Sequence, residues 1–221
     1  MQLKKRKSGV NMANIFDLFK QISSGESNNT QRVEYIIAGL GNPGKEYANT
    51  RHNAGFLAVD YIVQKCGAKI DRSKFKALTA IVTVEGKGVL FMKPQTFMNH
   101  SGDAVGEAAN FYKIPPENVI VISDDINFDV GRLRVRKSGS AGGQKGLNDI
   151  IEKLGTENIP RIRVGAGKKP HPDYDIKDWV LSNFSKQENE TLDELYPKIF
   201  DGVKKIISGD IDTAMQICNG K

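Results

Sequence analysis

The chain has 221 residues, 39% of them hydrophobic, a formal net charge of +6 and two cysteines, enough chain for one well-buried domain plus a short appendage. No apolar run approaches the ~18 residues of a membrane span, no apolar signal core follows the charged amino terminus, and Cys66 and Cys218 stand too far apart in sequence for a C-x-x-C motif. These features exclude a helical membrane protein and argue against a structural zinc or disulfide scaffold, and they lead us to expect a reducing, cytoplasmic setting.

Residues 1–33 read as an extension. A basic cluster (Lys4, Lys5, Arg6, Lys7) precedes a short amphipathic helix presenting Ile15, Phe16, Leu18, Phe19 and Ile22. A polar linker over residues 23–31 follows. The domain is expected over residues 34–221. It opens with a buried strand (35–40), a glycine-rich polar loop (39–53) and a helix (53–65). Alternating strands over 78–84 and 88–92 form a hairpin around Gly86, and a helix follows over 104–112. Residues 119–122 are four apolar residues in a row, the mark of a strand covered on both faces. Then come a strand (133–136), a helix (147–154), a strand (161–166), a loop to Tyr174, a long helix (186–207) and a short one (213–218). Strands alternating with helices predict an α/β single domain, with a mixed, mostly parallel sheet between helical layers. Cys66, just past a helical apolar pattern, is expected to be buried.

The charge is unevenly placed. Residues 132–169 hold ten bases against three acids, the footprint of a polyanion partner. Arg132, Arg134 and Arg136 alternate with apolar residues, which points three arginines to one side of a strand.

The loop at 39–53 invites a nucleotide reading. Gly39, Gly41 and Gly44 satisfy G-x-G-x-x-G, and Gly44-Lys45 nearly satisfies a P-loop, with Ser123-Asp124 as the matching Mg²⁺-binding strand end. Both motifs need a helix whose amides face phosphate. Pro43 removes one amide and Glu46 would repel phosphate. What the loop does carry is Asn42, Arg51, His52 and Asn53, at the carboxyl end of a buried strand, where α/β proteins place their chemistry. Histidine is the side chain best suited to move protons near neutral pH. Taken singly, His52 reads equally as a helix cap, Asn42 as a turn residue before Pro43, Asn99 as a cap and Arg163 as a structural ion pair.

Taken together, GLGNPGKEYANTRHNAGF (39–56), KPQTFMNHSG (93–102), ISDD (122–125) and SGSAGGQKGL (138–147) resemble the bacterial-type peptidyl-tRNA hydrolases. The resemblance spans about residues 34–205. It implies hydrolysis of the ester joining a peptide to the terminal ribose of tRNA, by a monomer with no cofactor and no metal. His52 is implied as general base on water, Asp124 as the carboxylate that orients it, and Asn42 and Asn99 as the amides that hold the peptide and polarise the carbonyl. Tyr47, Phe97, Asn99 and Lys145 are implied as substrate-binding residues. Arg136 and Arg163 are implied to clamp the 5′ phosphate, to which an arginine fork binds bidentately. One departure stands out: similar enzymes usually carry His-Asn where this chain has Gln144-Lys145. Some relatives of the fold bind RNA without hydrolysis, and that is the alternative function.

Overall fold

The structure is a computed structural model that describes residues 32–220. The expected helix, linker and basic cluster of residues 1–31 lie outside the described residues. A sheet of seven strands runs in the order β2-β3-β4-β1-β5-β7-β6. Its strands are β1 (Val33–Gly39), β2 (Arg72–Lys74), β3 (Ala77–Val84), β4 (Lys87–Pro94), β5 (Val119–Asp125), β6 (Leu133–Arg136) and β7 (Arg161–Gly165). The central strands β4, β1, β5 and β7 are mutually parallel, and β2, β3 and β6 pair antiparallel at the two edges. The helices are α1 (Ala54–Lys65), α2 (Ser101–Tyr112), α3 (Lys145–Leu154), α4 (Ile176–Leu181), α5 (Lys186–Ile207) and α6 (Ile211–Asn219). None among the described residues is long and apolar enough to cross a membrane.

The period-two pleat sorts the strands onto two cores. Ile37, Phe91, Ile120, Ile122 and Ile162 pack with α1, α5 and α6. Ile36, Ala38, Leu90, Met92 and Val121 pack with α2 and α3. Because both faces are covered, β1 and β5 read as continuous apolar runs. From β1 the chain crosses through α1 toward β4 on one side, and later places β5 on the other. That reversal leaves a crevice beyond the carboxyl ends of β1 and its neighbours.

The glycines of the 39–56 loop serve packing. No α-helix starts at Gly44; only a short 3₁₀ turn, Lys45–Tyr47, follows it, so the amide cradle of a nucleotide loop is absent. Instead, a Cβ on Gly55 would collide with the Ile122 carbonyl oxygen and the Leu40 amide, and one on Gly41 would lie 2.7 Å from the Phe56 ring. Without them α1 could not sit directly on the ends of β1 and β5. Leu40 N donates to Ile122 O (2.9 Å) and Phe56 N to Leu40 O (3.2 Å), which closes this junction.

Several expectations need correction. Arg132 stands before β6, in a turn where its N–H donates to the Asp129 carbonyl (3.2 Å). Only Arg134 and Arg136 lie in the strand, where they pair in register with Arg163 and Arg161. Directly paired residues share a face, so a four-arginine face is built from two strands. Cys66 is half-buried rather than buried, because α1 ends just before it. The segment after Tyr174 contains α4, a helix of six residues, too short to show a period. Strand β2 has three exposed polar residues and carries no apolar signal.

Gly55→Ala tests the junction. Helix propensity favours alanine by about 1 kcal/mol, whereas forcing a methyl into packed backbone costs about 1–3 kcal/mol or more. Urea denaturation should show net destabilisation; a variant as stable as the parent would mean the junction is loosely packed.

Candidate active site

A cavity of about 1010 Å³ opens at the carboxyl ends of the central strands. Eight of the nine residues singled out from the sequence line it: Asn42, Tyr47, His52, Phe97, Asn99, Asp124, Lys145 and Arg163. Arg136 does not; it is exposed on the edge strand β6. The lining from α4, Ile176, Val180 and Leu181, was not foreseen, because six residues give periodicity nothing to detect. Gln144 and Asn127 also line the cavity.

The His52 ring is anchored first. Nδ1 lies 2.9 Å from Asp124 Oδ2. Asp124 is 4% exposed, and a buried carboxylate needs partners. Its other oxygen, Oδ1, accepts from Gln144 Nε2 at 3.0 Å. With an ionised carboxylate as its partner, Nδ1 carries the ring proton. His52 Nε2 has no hydrogen-bond partner among the described residues.

Asn42 is oriented with equal care. Its backbone N–H donates to Asn53 Oδ1 (2.8 Å), and its carbonyl accepts from Asn53 Nδ2 (3.0 Å). Asn53 precedes α1, but its side chain makes no cap bond there; it is spent on Asn42. Asn42 Oδ1 accepts from Met98 N (2.8 Å). That fixes which end of the amide is the acceptor and leaves the NH₂ without a partner among the described residues. Asn99 is exposed at the rim beside Phe97, which is 52% exposed and held at φ 59°.

Arg163 is half-buried, with Nε 2.9 Å from Asp125 Oδ2. The charges are close, but the N–H is not aimed at that oxygen, which has no hydrogen bond among the described residues. The ion pair weighed for Arg163 is thus present, and the residue also reaches the cavity. Arg161, 2% exposed, donates to the carbonyls of Ile159, Gly139, Ser140 and Glu157 and so shapes the glycine-rich turn ahead of Gln144. Burial pushes the Arg161 pKa down, helped by the neighbouring Arg163 charge. Among the described residues, no three His, Cys, Asp or Glu side chains cluster as a metal site.

Arg51 holds the site's outer wall. It is 5% exposed. Its guanidinium donates to both Glu188 carboxylate oxygens (2.8 and 3.0 Å), to Ala166 O (2.7 Å) and to Ser182 Oγ (3.1 Å), and stacks 3.8 Å over Trp179. Glu188 in turn completes the capping box of α5 with Ser185. The residue next to the candidate base is therefore tied to β7, α4 and α5.

The fold and site define a class: an α/β protein with a histidine hydrogen-bonded to a buried carboxylate in an open cleft, a geometry suited to hydrolysis. The comparisons narrow this. The family model for peptidyl-tRNA hydrolase matches residues 36–221. The peptidyl-tRNA hydrolase of Caldicellulosiruptor bescii is 51% identical over 188 residues, covering 85% of this chain and 98% of that one. That of Thermoanaerobacter sp. is 48% identical over 186 residues, covering 84% and 100%. The crystal structure of the Acinetobacter baumannii peptidyl-tRNA hydrolase superposes with TM-score 0.79 at 32% identity, covering 86% of this chain and 96% of that one. The chain belongs to the peptidyl-tRNA hydrolase family.

Burial disfavours the ionised form of Glu188, but the hydrogen bonds from Arg51 and Ser185 outweigh it and hold its pKa below the ordinary 4.5. A depressed folded-state pKa contributes stability above the unfolded value and loses it as pH falls through the folded one. Glu188→Gln should therefore be less stable than the parent at neutral pH, with the gap closing below about pH 4.5. Thermal melts against pH check this; a constant gap would show that Glu188 acts by shape alone.

Proposed function

We propose that His52 is the general base with which this chain, as a member of its family, hydrolyses the ester between peptide and tRNA. The observation that carries the reading is the 2.9 Å bond from His52 Nδ1 to Asp124 in a cavity that also holds the Asn42 NH₂, which has no partner among the described residues. Nε2 takes a proton from water as its oxygen attacks the ester carbonyl. Asp124 stabilises the imidazolium that forms, without itself taking the proton. The Asn42 NH₂ donates to the oxygen on which charge develops, and Asn99 at the rim steadies the peptide. Collapse of the tetrahedral species releases the ribose oxygen, which takes its proton back from His52. The ester is already activated, so a placed base and one oriented donor suffice.

Tyr47 and Phe97 offer surfaces for the peptide and the terminal base, and the apolar side of α4 completes that wall. Lys145, exposed at the first turn of α3, supplies a point charge to the phosphate backbone. Arg136 and Arg163 extend the basic track toward the 5′ phosphate, with Arg163 held part-way by Asp125. A single chain carries every group this scheme uses, which supports action as a monomer, and no step calls for a cofactor. A substrate made by translation fits a cytoplasmic setting. Binding of RNA without hydrolysis is not favoured: the base, its carboxylate and the oriented amide are all present, and relatives at about half identity carry the hydrolase name.

His52→Ala should lower turnover of an N-blocked aminoacyl-tRNA by about 10²–10⁴, and Asn42→Ala by about 10²–10³, both with near-parental tRNA binding. Single-turnover release of the blocked amino acid, with chelator present, measures this. Retention of more than about a tenth of parental activity by His52→Ala would remove it as the base.

A further inference from the structure

Gln144 is a tightly held polar side chain at the cavity wall. It is 9% exposed and each end of its amide is engaged. Oε1 accepts from Leu147 N at 2.8 Å, capping α3. Nε2 lies 3.0 Å from Asp124 Oδ1 and 3.0 Å from Met98 Sδ. The backbone holds the side chain in place: Gln144 N donates to Ala141 O and Asn148 N to Gln144 O. Two residues on, Gly146 packs so tightly that a Cβ would lie 2.6 Å from Met98 Sδ. The same Met98 gives its amide to Asn42 Oδ1. One connected set of contacts thus runs from His52 through Asp124, Gln144 and Met98 to Asn42.

An amide is unusual chemistry for such a place. It neither gains nor loses a proton in the accessible range, and its two ends cannot exchange roles here. With Oε1 committed to an N–H, only Nε2 can face Asp124, and it always donates. We propose that Gln144 is a positioning residue for the reaction: it locks the Asp124 carboxylate in the plane that His52 needs, and does so independently of pH. Capping of α3 is the device that keeps the donor end turned toward Asp124. The residue never meets the substrate's reacting atoms; it acts through Asp124. This inference rests on the reading of His52 as base.

The substitution Gln144→Glu separates positioning from capping. A carboxylate at that position still accepts from Leu147 N and still suits a helix amino terminus. Toward Asp124 it behaves differently in its two protonation states. Protonated, it can donate to Oδ1 as the amide does. Ionised, it sets two buried carboxylates against each other, which favours retention of one proton by the pair. The variant should therefore approach parental kcat at about pH 5.5 relative to the parent at that pH, and fall behind it by about tenfold or more by about pH 8, with KM changed less than about twofold. A helix cap alone predicts a ratio of variant to parent kcat that is flat with pH.

Gln144→Met guards against a Glu variant that fails to fold. It keeps length and volume, removes the hydrogen bonds to Asp124, Met98 and Leu147, and adds no charge. Its kcat should fall at least about fivefold at unchanged KM. A smaller fall, or a flat Gln144→Glu ratio, overturns the inference. His52→Ala is measured in the same series. If it stays active, the reading of the base fails. If it is inactive while the Gln144 variants behave as the parent, only the role of Gln144 fails.

Discussion

The structure around the cleft depends on one buried carboxylate having two partners. Asp124 accepts from His52 on one oxygen and from Gln144 on the other. A carboxylate this deeply buried is costly if either bond is missing, because each absent partner leaves desolvation uncompensated. Both bonds come from segments distant in sequence, so the charge can be accommodated only when the β1–α1 loop and the amino end of α3 are both in place. Tolerance of the charge and alignment of His52 are thus one condition. The tight contact of α1 with the ends of β1 and β5, which Gly55 permits, brings the first segment within reach; the turn built on Arg161 brings the second.

Two kinds of ionic group surround this centre, and they work differently. Arg51 is fully engaged, its fork divided between Glu188 and backbone and its face on Trp179. It is part of the frame, and it carries rigidity from α5 to the residue beside His52. Arg134 and Arg136 are more open, and Lys145 is exposed; their charge remains available to a phosphate chain. Arg163 lies between these cases. Such a division suits a catalyst that must hold a small ester rigidly while a much larger polyanion docks through screened, exchangeable contacts.

Much of this was legible in the sequence where one physical rule dominates. Strands buried on both faces show as apolar runs, hence residues 35–40 and 119–122; the long amphipathic α5 showed by its period. The four motif segments pointed to one cleft, and the structure places Asn42, His52, Asn99 and Asp124 together in it. What stayed hidden were features whose cause is tertiary. Strand β2 is polar and three residues long, formed only because β3 offers an edge. Helix α4 is too short for a pattern, and Trp179 stacking on Arg51 gives it its place. Arg51 itself looked like one more polar loop residue beside a histidine. Gln144-Lys145 stood out as a departure from the resembled pattern, yet its composition did not reveal that the glutamine would be buried against Asp124 and the lysine exposed. Arg132 failed as a strand residue because the turn at Asp129 claims its amide.

The bond to Asp124 sets the His52 proton on Nδ1 and leaves a bare Nε2 toward the cavity. Heteronuclear NMR of the His52 imidazole in the neutral ring reads this directly. The expected result is a protonated Nδ1, with the hydrogen-bonded shift found beside a carboxylate, and an unprotonated Nε2. A ring found with its proton on Nε2 and a bare Nδ1 would contradict it, since Nε2 could not then accept a proton from water.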